Sequence, residues 1–320
     1  MKLALAGDTM LGRGVAAALA ASPPQALVDG ELAAVVREAD LFVLNLECCI
    51  SERGDPWPDP AKPFFFRAPP AAVELLSYLG VDCVTLANNH TLDFGVEALL
   101  DTLEHLDAAH IAHVGAGRSE DEARAPAILE HGGLRLAVFG VADHPREYGA
   151  GPEAAGIAFA PLDGAAPSWL VKGIAAVGAE AVLVTPHWGP NMTEAPIGRV
   201  RKTAATLLDA GATLVAGHSA HVFHGIEGSV LYDLGDFLDD YRVDPVLRND
   251  LGLLFLVELE PNGPARVEAV PLELDYCHTR LASGAGADWI RTRFRSACAA
   301  LGAEVSDKQG RLVVETPRPF

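Results

Sequence analysis

Six of seven short apolar runs in this chain end in a turn that carries Asp, Glu, Asn or His, and no other feature constrains the fold as tightly. The runs are Lys2–Ala6, Leu41–Asn45, Cys83–Ala87, Leu134–Gly140, Ala181–Thr185, Thr213–Ala216 and Ser229–Asp233. Each is too short for a helix and too continuous for a strand with one wet face, so each reads as a strand covered on both sides. Ala/Leu-rich stretches between them predict helices at Gly30–Glu38, Pro70–Leu79, Val96–Ala108, Trp169–Gly178 and Val200–Ala210. Strands alternating with helices predict an α/β layered fold. Further on, Leu251–Leu259 and Ala265–Pro271 read as a hairpin around Pro261-Asn262-Gly263. An amphipathic helix (Ala287–Leu301) and a short strand (Arg311–Glu315) follow.

Open α/β sheets gather ligands outside the carboxyl ends of their strands. Here those ends carry Gly7-Asp8-Thr9-Met10, Asn45-Leu46-Glu47, Asn88-Asn89-His90 with Asp93, Pro186-His187-Trp188-Gly189, Gly217-His218-Ser219-Ala220-His221 and Leu234-Gly235-Asp236-Phe237. Carboxylates, carboxamides and imidazoles converging on one rim make a metal site in physical terms, suited to Mn, Zn, Fe, Mg or Ca rather than to a thiolate-seeking ion. One or two divalent ions per chain are expected. His144 and His224 are weaker rim candidates, and His105, His110, His113, His131 and His278 read as surface or helix-end groups. Cys48 and Cys49 follow Glu47 and read as small buried fillers, since a nucleophilic thiol needs a base and an electropositive setting. Trp188 and Phe64-Phe65-Phe66 read as core or pocket wall.

Composition narrows the function. Lys and Arg number 24 against 43 Asp and Glu, a formal charge of −19, with no basic run. Nucleic acid and anionic membranes are therefore poor partners. No apolar stretch nears the roughly 20 residues of a membrane span. The start of the chain reads as a first strand rather than a secretory leader, and the five cysteines are an odd number that includes an adjacent pair. A reducing, cytoplasmic setting is expected. Two Pro-rich stretches, Asp55–Pro63 and Glu147–Pro167, interrupt the rhythm without ending it, and read as long loops over a site. One catalytic domain over residues 1–275 with a helical extension over 276–320 packed on it is the simplest organisation.

The ordered motif set Gly7-Asp8-Thr9-Met10-Leu11-Gly12-Arg13, Asn45-Leu46-Glu47, Ala87-Asn88-Asn89-His90, His187-Trp188-Gly189, Gly217-His218 with His221, and Leu234-Gly235-Asp236-Phe237 resembles the CapA family. That is the bacterial capsule or poly-γ-glutamate synthesis family, related to calcineurin-like metallophosphoesterases. The resemblance implies a four-layer αββα sandwich with metals at its strand ends. It implies Asp8 as a first-metal carboxylate, Glu47 at the bridging position and Asn89 as a carboxamide ligand. His187 and His218 would hold the second metal, and His221 the first. His90 would act as the acid, with Asn88 and Asp93 beside it in the catalytic set. Asn45, Trp188 and Asp236 would stand behind the ligands or against the substrate.

Four departures from that pattern matter. Met10 stands where phosphoesterases carry a histidine, Glu47 is one methylene longer than the usual Asp, and Asp236 replaces a commoner Asn, a change that would add a carboxylate to the site. An acidic residue common after His-Trp-Gly is Asn191 here, with Glu194 further on. The resulting expectation is a metal-dependent, hydrolase-type enzyme for a peptide-like or γ-glutamyl substrate, acting by amide hydrolysis or transfer, or by proton transfer such as epimerisation. The alternatives are a phosphoester hydrolase and a non-catalytic accessory protein of poly-γ-glutamate or capsule synthesis. A polyanionic ligand would need a local basic patch, for which Arg13, Arg67, Arg199 and Arg201 are candidates.

Overall fold

The computed structural model describes residues 1–315. The first half of the chain runs β1 (Lys2–Thr9), α1 (Arg13–Ala21), α2 (Gly30–Val36), β2 (Leu41–Leu46), α3 (Ala72–Leu79), β3 (Cys83–Thr85), α4 (Gly95–Ala108) and β4 (Ala112–Val114). A second unit follows: β5 (Ala127–His131), β6 (Leu134–Ala142), α5 (Ser168–Ala176), β7 (Ala181–His187), α6 (Gly198–Asp209), β8 (Leu214–Ala216), β9 (Ile226–Glu227) and β10 (Val230–Leu231). The chain then returns to the first sheet through β11 (Asp236–Leu238), β12 (Leu251–Glu260), β13 (Gly263–Asp275), β14 (His278–Leu281), α7 (Gly284–Ala299), β15 (Ser306–Lys308) and β16 (Arg311–Glu315).

Two sheets result. The larger has the order β15-β16-β13-β12-β1-β2-β3-β4, with β11 beside β1 and β14 beside β13. Its β1–β4 half is parallel and its β12–β16 half antiparallel. The smaller has the order β9-β10-β8-β7-β6-β5.

Alternation along the strands stacks the sheets. Leu3 and Leu5 of β1, and Leu41 and Val43 of β2, meet Leu136, Val138, Ala181 and Leu183 of the other sheet in one buried cluster. The intervening Ala4, Ala6, Phe42 and Leu44 face α1–α4. On the far side, Ala137, Phe139, Val182 and Val184 face α5 and α6. The layers are helix, sheet, sheet, helix, which is the αββα sandwich expected from the resemblance. Because both faces of every central strand are covered, apolar runs are unbroken until the strand ends, where polar groups become tolerable.

Helix α7 buries Ile290, Phe294 and Cys298 against Phe223 and Phe255, on the inner face of the antiparallel half. The segment after residue 275 is more than helical: β14 pairs with β13, and β16 joins the edge of β13 with β15 outside it. Residues 316–320 of the expected extension lie outside the described residues.

Seven of these elements, α1, β4, β5, β9, β11, β14 and β15, escape sequence patterning, and three show why. Helix α1 (RGVAAALAA) buries only Val15 and Leu19, too sparse an apolar stripe to stand out. Strand β14 is His-Thr-Arg-Leu and looks like a loop. Strand β11 begins with the site residue Asp236 and is three residues long.

Candidate metal centre

The site lies where the parallel strands of both sheets end. Asp8 is Cα partner to Asn45 of β2 on one side and to Asp236 of β11 on the other, with the register of β1 shifting beside it. That approach needs a glycine: a Cβ on Gly7 would sit 1.8 Å from the Gly235 carbonyl oxygen. In the smaller sheet, His187 closes β7 and bridges His218, which follows β8.

Two groups of donor atoms form, each within 4.8 Å: Asp8, Glu47 and His187, and Asp8, His221 and Asp236. All five residues are buried. Asp8 is common to both groups, although the resemblance puts Glu47 in the bridging place. His187 Nε2 lies 3.4 Å from Glu47 Oε1, and His187 Nδ1 is buried without a partner. His221 Nδ1 lies 2.9 Å from Asp236 Oδ1 and 3.3 Å from Asp8 Oδ2. His218 is in neither group; its Nδ1 contacts Asp8 Oδ1 at 3.1 Å. Asn89 lines the adjoining cavity with its Oδ1 buried and unpartnered, as a carboxamide awaiting a ligand would be.

The electrostatics fit a divalent cation. Burial and the charge of Asp8 push Glu47 well above the ordinary carboxylate range. Burial raises Asp236 and Asp233 in the same way. Burial also opposes ionisation of Asp8, but hydrogen bonds from His218 and His221 overcome it and hold Asp8 well below its usual value. Burial, with His144 nearby, keeps His187 neutral, the form that ligates metals. A concentration of buried carboxylates with only imidazoles opposite them is a donor set that a hard or borderline cation satisfies.

Beside this centre stands a dyad. His90 Nδ1 donates to Asp93 Oδ2 at 2.7 Å. The same oxygen accepts Phe66 N–H at 2.6 Å, while Asp93 Oδ1 accepts Lys62 Nζ at 2.9 Å and the Tyr148 hydroxyl at 3.2 Å. Asp93 is thus a fully hydrogen-bonded carboxylate that fixes the His90 ring, and burial lowers the imidazole pKa although Asp93 opposes that. Asn88, expected in the catalytic set, does not line the cavity. It donates to Asn45 Oδ1 and the Leu46 carbonyl, and accepts from His90 N–H and the Thr91 hydroxyl. All its capacity is used, so it positions its neighbours. Asn45 in turn donates to Asp8 Oδ1 and Glu47 Oε2. Trp188 turns away from the centre: alternation at the end of β7 sends His187 inward and the indole outward, into the apolar layer under α6, where Nε1 donates to the Tyr232 carbonyl.

A cavity of about 1040 Å³ opens over the dyad and the His221 side of the centre. The Asp55–Pro63 loop gives it Trp57, Asp59 and Lys62, and the start of the second Pro-rich loop gives Glu147 and Tyr148. Sequence reasoning missed Lys62, Tyr148 and Tyr241, because loop paths, not strand ends, bring them here. His144, read as a weaker candidate, lines this cavity with its Nδ1 2.5 Å from Asp143 Oδ1 and its ring 5.1 Å from that of His187. Both cysteines after Glu47 are buried, which pushes Cys48 well up and Cys49 to about 12.

The four arginines do not make one basic patch. Arg13 pairs with Asp240 and stacks on Phe66, while Arg67 covers Phe94. Arg199 and Arg201 pair with Asp143 and Glu227. Arg242, on the cavity wall, has no acidic partner among the described residues.

His224 lies outside the centre. Its Nε2 contacts the Thr193 carbonyl at 2.7 Å, and burial pushes its pKa from 6.5 down to about 4. Between those values the unfolded chain binds a proton that the folded chain does not, so stability falls as pH drops through this window. Urea unfolding at pH 7 and 4.5 is expected to show the parent losing about 2 kcal/mol more than His224→Gln. Equal losses would rule this linkage out.

A family model described as "Bacterial capsule synthesis protein PGA_cap" matches residues 2–241, which contain both donor groups and the dyad. The chain belongs to this family. Among PGA_cap relatives, a "Probable polyglutamine synthesis accessory protein" of Mycobacterium tuberculosis H37Rv is 30% identical, over 90% of this chain and 80% of the relative. The "PGA biosynthesis protein CapA" of Bacillus subtilis 168 is 30% identical over 63% of this chain and 53% of its own length. A solved structure of a hypothetical protein from Thermus thermophilus superposes with a TM-score of 0.50 at 18% identity, covering 85% of this chain and 99% of that one. Haemophilus influenzae NAD nucleotidase aligns over 91% of this chain and 56% of its own, with a TM-score of 0.44 and 10% identity. No helix among the described residues is long and apolar enough to cross a membrane.

Proposed function

We propose that this PGA_cap chain is a metal-dependent enzyme acting on a peptide-like or γ-glutamyl substrate. The observation that carries the reading is the His90–Asp93 dyad on the wall of a large cavity, beside two donor groups that share Asp8. Asp8, Glu47, His187, His221 and Asn89 would hold the metal, with His218 steadying Asp8. When bound, a divalent ion polarises a carbonyl or phosphoryl group and activates water. Asp93 accepts a hydrogen bond from His90 Nδ1–H, which leaves Nε2 as the free nitrogen: it takes a proton from water or carbon, and the imidazolium so formed gives that proton to the leaving group. Lys62 offsets the charge of Asp93 and ties its loop to the Asn89 carbonyl at 2.8 Å. Trp57, Tyr148 and Tyr241 wall the cavity. A volume of about 1040 Å³, just above the usual range of roughly 300–1,000 Å³, suits an extended substrate. Arg242, on that wall and without an acidic partner among the described residues, supports a substrate with a free carboxylate.

The relatives' names favour a second reading, an accessory role in polymer synthesis. Turnover assays with Mn2+-, Zn2+- or Mg2+-loaded protein on γ-glutamyl peptides and phosphoesters separate the readings. Metal-dependent release from, or epimerisation of, a γ-glutamyl peptide is the expected result. Turnover of phosphoesters alone would reassign the substrate class. No turnover by any loaded form would favour the accessory role.

A further inference from the structure

We propose that Asp236 is itself a metal ligand, and that with Asp8 and His221 it forms a separate subsite for a hard divalent cation such as Mn2+ or Mg2+. The proposal rests on the reading of this centre as metal-binding and goes beyond it in assigning a ligand. It starts from a loss: Met10, two residues past Asp8, is fully buried in the apolar cluster under α1–α4 and offers no hard donor. The fold brings a carboxylate in from the other side instead. Asp236 opens β11, which runs parallel to β1 with Asp8 and Asp236 as Cα partners.

The spacing, which serves hydrogen bonds to His221, also fits a coordination shell. Metal–ligand bonds of about 2.1 Å put neighbouring donors roughly 3.0 Å apart in an octahedron and 3.4 Å apart in a tetrahedron. Asp236 Oδ1 and Asp8 Oδ2 stand 2.9 and 3.3 Å from His221 Nδ1. An independent observation points the same way. Asp236 is 1% exposed, and its second oxygen, Oδ2, has no hydrogen-bond partner. Asp239, three residues on, 6% exposed and within hydrogen-bonding reach of Asp236, likewise has no donor to its Oδ2 among the described residues. Buried carboxylate oxygens are seldom left so, because desolvation is then uncompensated. Three carboxylates around one imidazole form an oxygen-rich environment, which suits Mn2+, Mg2+ or Ca2+ better than a soft ion.

The test is Mn2+ binding to the full chain, read by the loss of the free-ion electron paramagnetic resonance signal and by calorimetry. The parent is expected to bind two Mn2+. Asp236→Asn is expected to lose one, or to weaken one binding step at least tenfold, with unchanged near-ultraviolet circular dichroism. Glu47→Gln, which leaves Asp8, His221 and Asp236 intact, is expected to keep one Mn2+. Should Asp236→Asn fold poorly, this second variant still decides: no bound Mn2+ would overturn a separate subsite. An Asp236→Asn isotherm identical to the parent's would overturn Asp236 as a ligand while sparing the wider metal reading. A parent that binds no Mn2+, Mg2+ or Zn2+ would sink both.

Discussion

Asp8→Asn is expected to weaken both divalent-ion binding steps together, whereas loss of any other ligand weakens one. Asp8 is the carboxylate common to the Glu47–His187 and His221–Asp236 groups, so its charge acts on both. Partners that only orient a ligand are worth about 10–100-fold in metal affinity, so a shared direct ligand is expected to cost more than 100-fold. The comparison variant is Asp233→Asn. Asp233 is also buried, but its oxygens accept the Ala220 and Gly235 N–H groups and it joins neither donor group. Its replacement orphans one of those donors and is expected to cost about 1–3 kcal/mol of stability. Ion number and affinity are expected to survive it. Calorimetry with Mn2+ and thermal melts of both variants give the two readouts. If Asp8→Asn binds ions as the parent does, the shared centre is wrong; if Asp233→Asn also loses them, the effect is structural rather than ligation.

What could be read from sequence follows from where burial ends. Central strands covered on both faces leave no wet face, so polar residues collect at their carboxyl ends, and Asp8, Glu47, Asn89, His187, His218 and His221 stand out for that reason. The finer assignments need geometry. Trp188 differs from His187 by one position, and one position along a strand reverses the face. Asn88 looks as available as Asn89 in sequence, yet four hydrogen bonds within the fold take its whole capacity. Asp236 reads in sequence as a contact behind the ligands or an added carboxylate of the site, and its place beside Asp8 is not legible because nothing in the sequence shows that β11 pairs with β1 rather than with the strand before it. Lys62 and Tyr148 come from loops 55–63 and 147–167, whose paths have no period to read. The antiparallel half was visible as a hairpin, but the return of β14 and β16 to the same sheet was not, since His278–Leu281 has no apolar pattern.

The His90–Asp93 dyad permits a sharper division between chemistry and architecture than the metal ligands do. His90→Asn removes the ring whose Nδ1 is held by Asp93, and is expected to lower kcat on a metal-dependent substrate by about 10²- to 10⁴-fold, the usual contribution of a positioned acid–base group. KM, metal content and melting temperature are expected to change little, because His90 lines the cavity rather than filling the core. Asp93→Asn is expected to lower kcat as well, but for a different reason and with a different signature. Phe66 N–H, His90 Nδ1, Lys62 Nζ and the Tyr148 hydroxyl all converge on the two oxygens of Asp93. An amide keeps one acceptor oxygen and turns two N–H donors toward groups that already donate. At least one buried donor is then orphaned at about 1–3 kcal/mol, and Lys62 loses its counter-charge. The Asp55–Pro63 loop, tied to this point through Lys62 and through Trp57 N–H on the Asp93 carbonyl, loosens with it. A lower melting temperature and a raised KM are therefore expected for Asp93→Asn and not for His90→Asn. If His90→Asn turns over at the parent rate, His90 is not the proton-transfer group, and the ring is there only to pack on Phe66, 4.5 Å away.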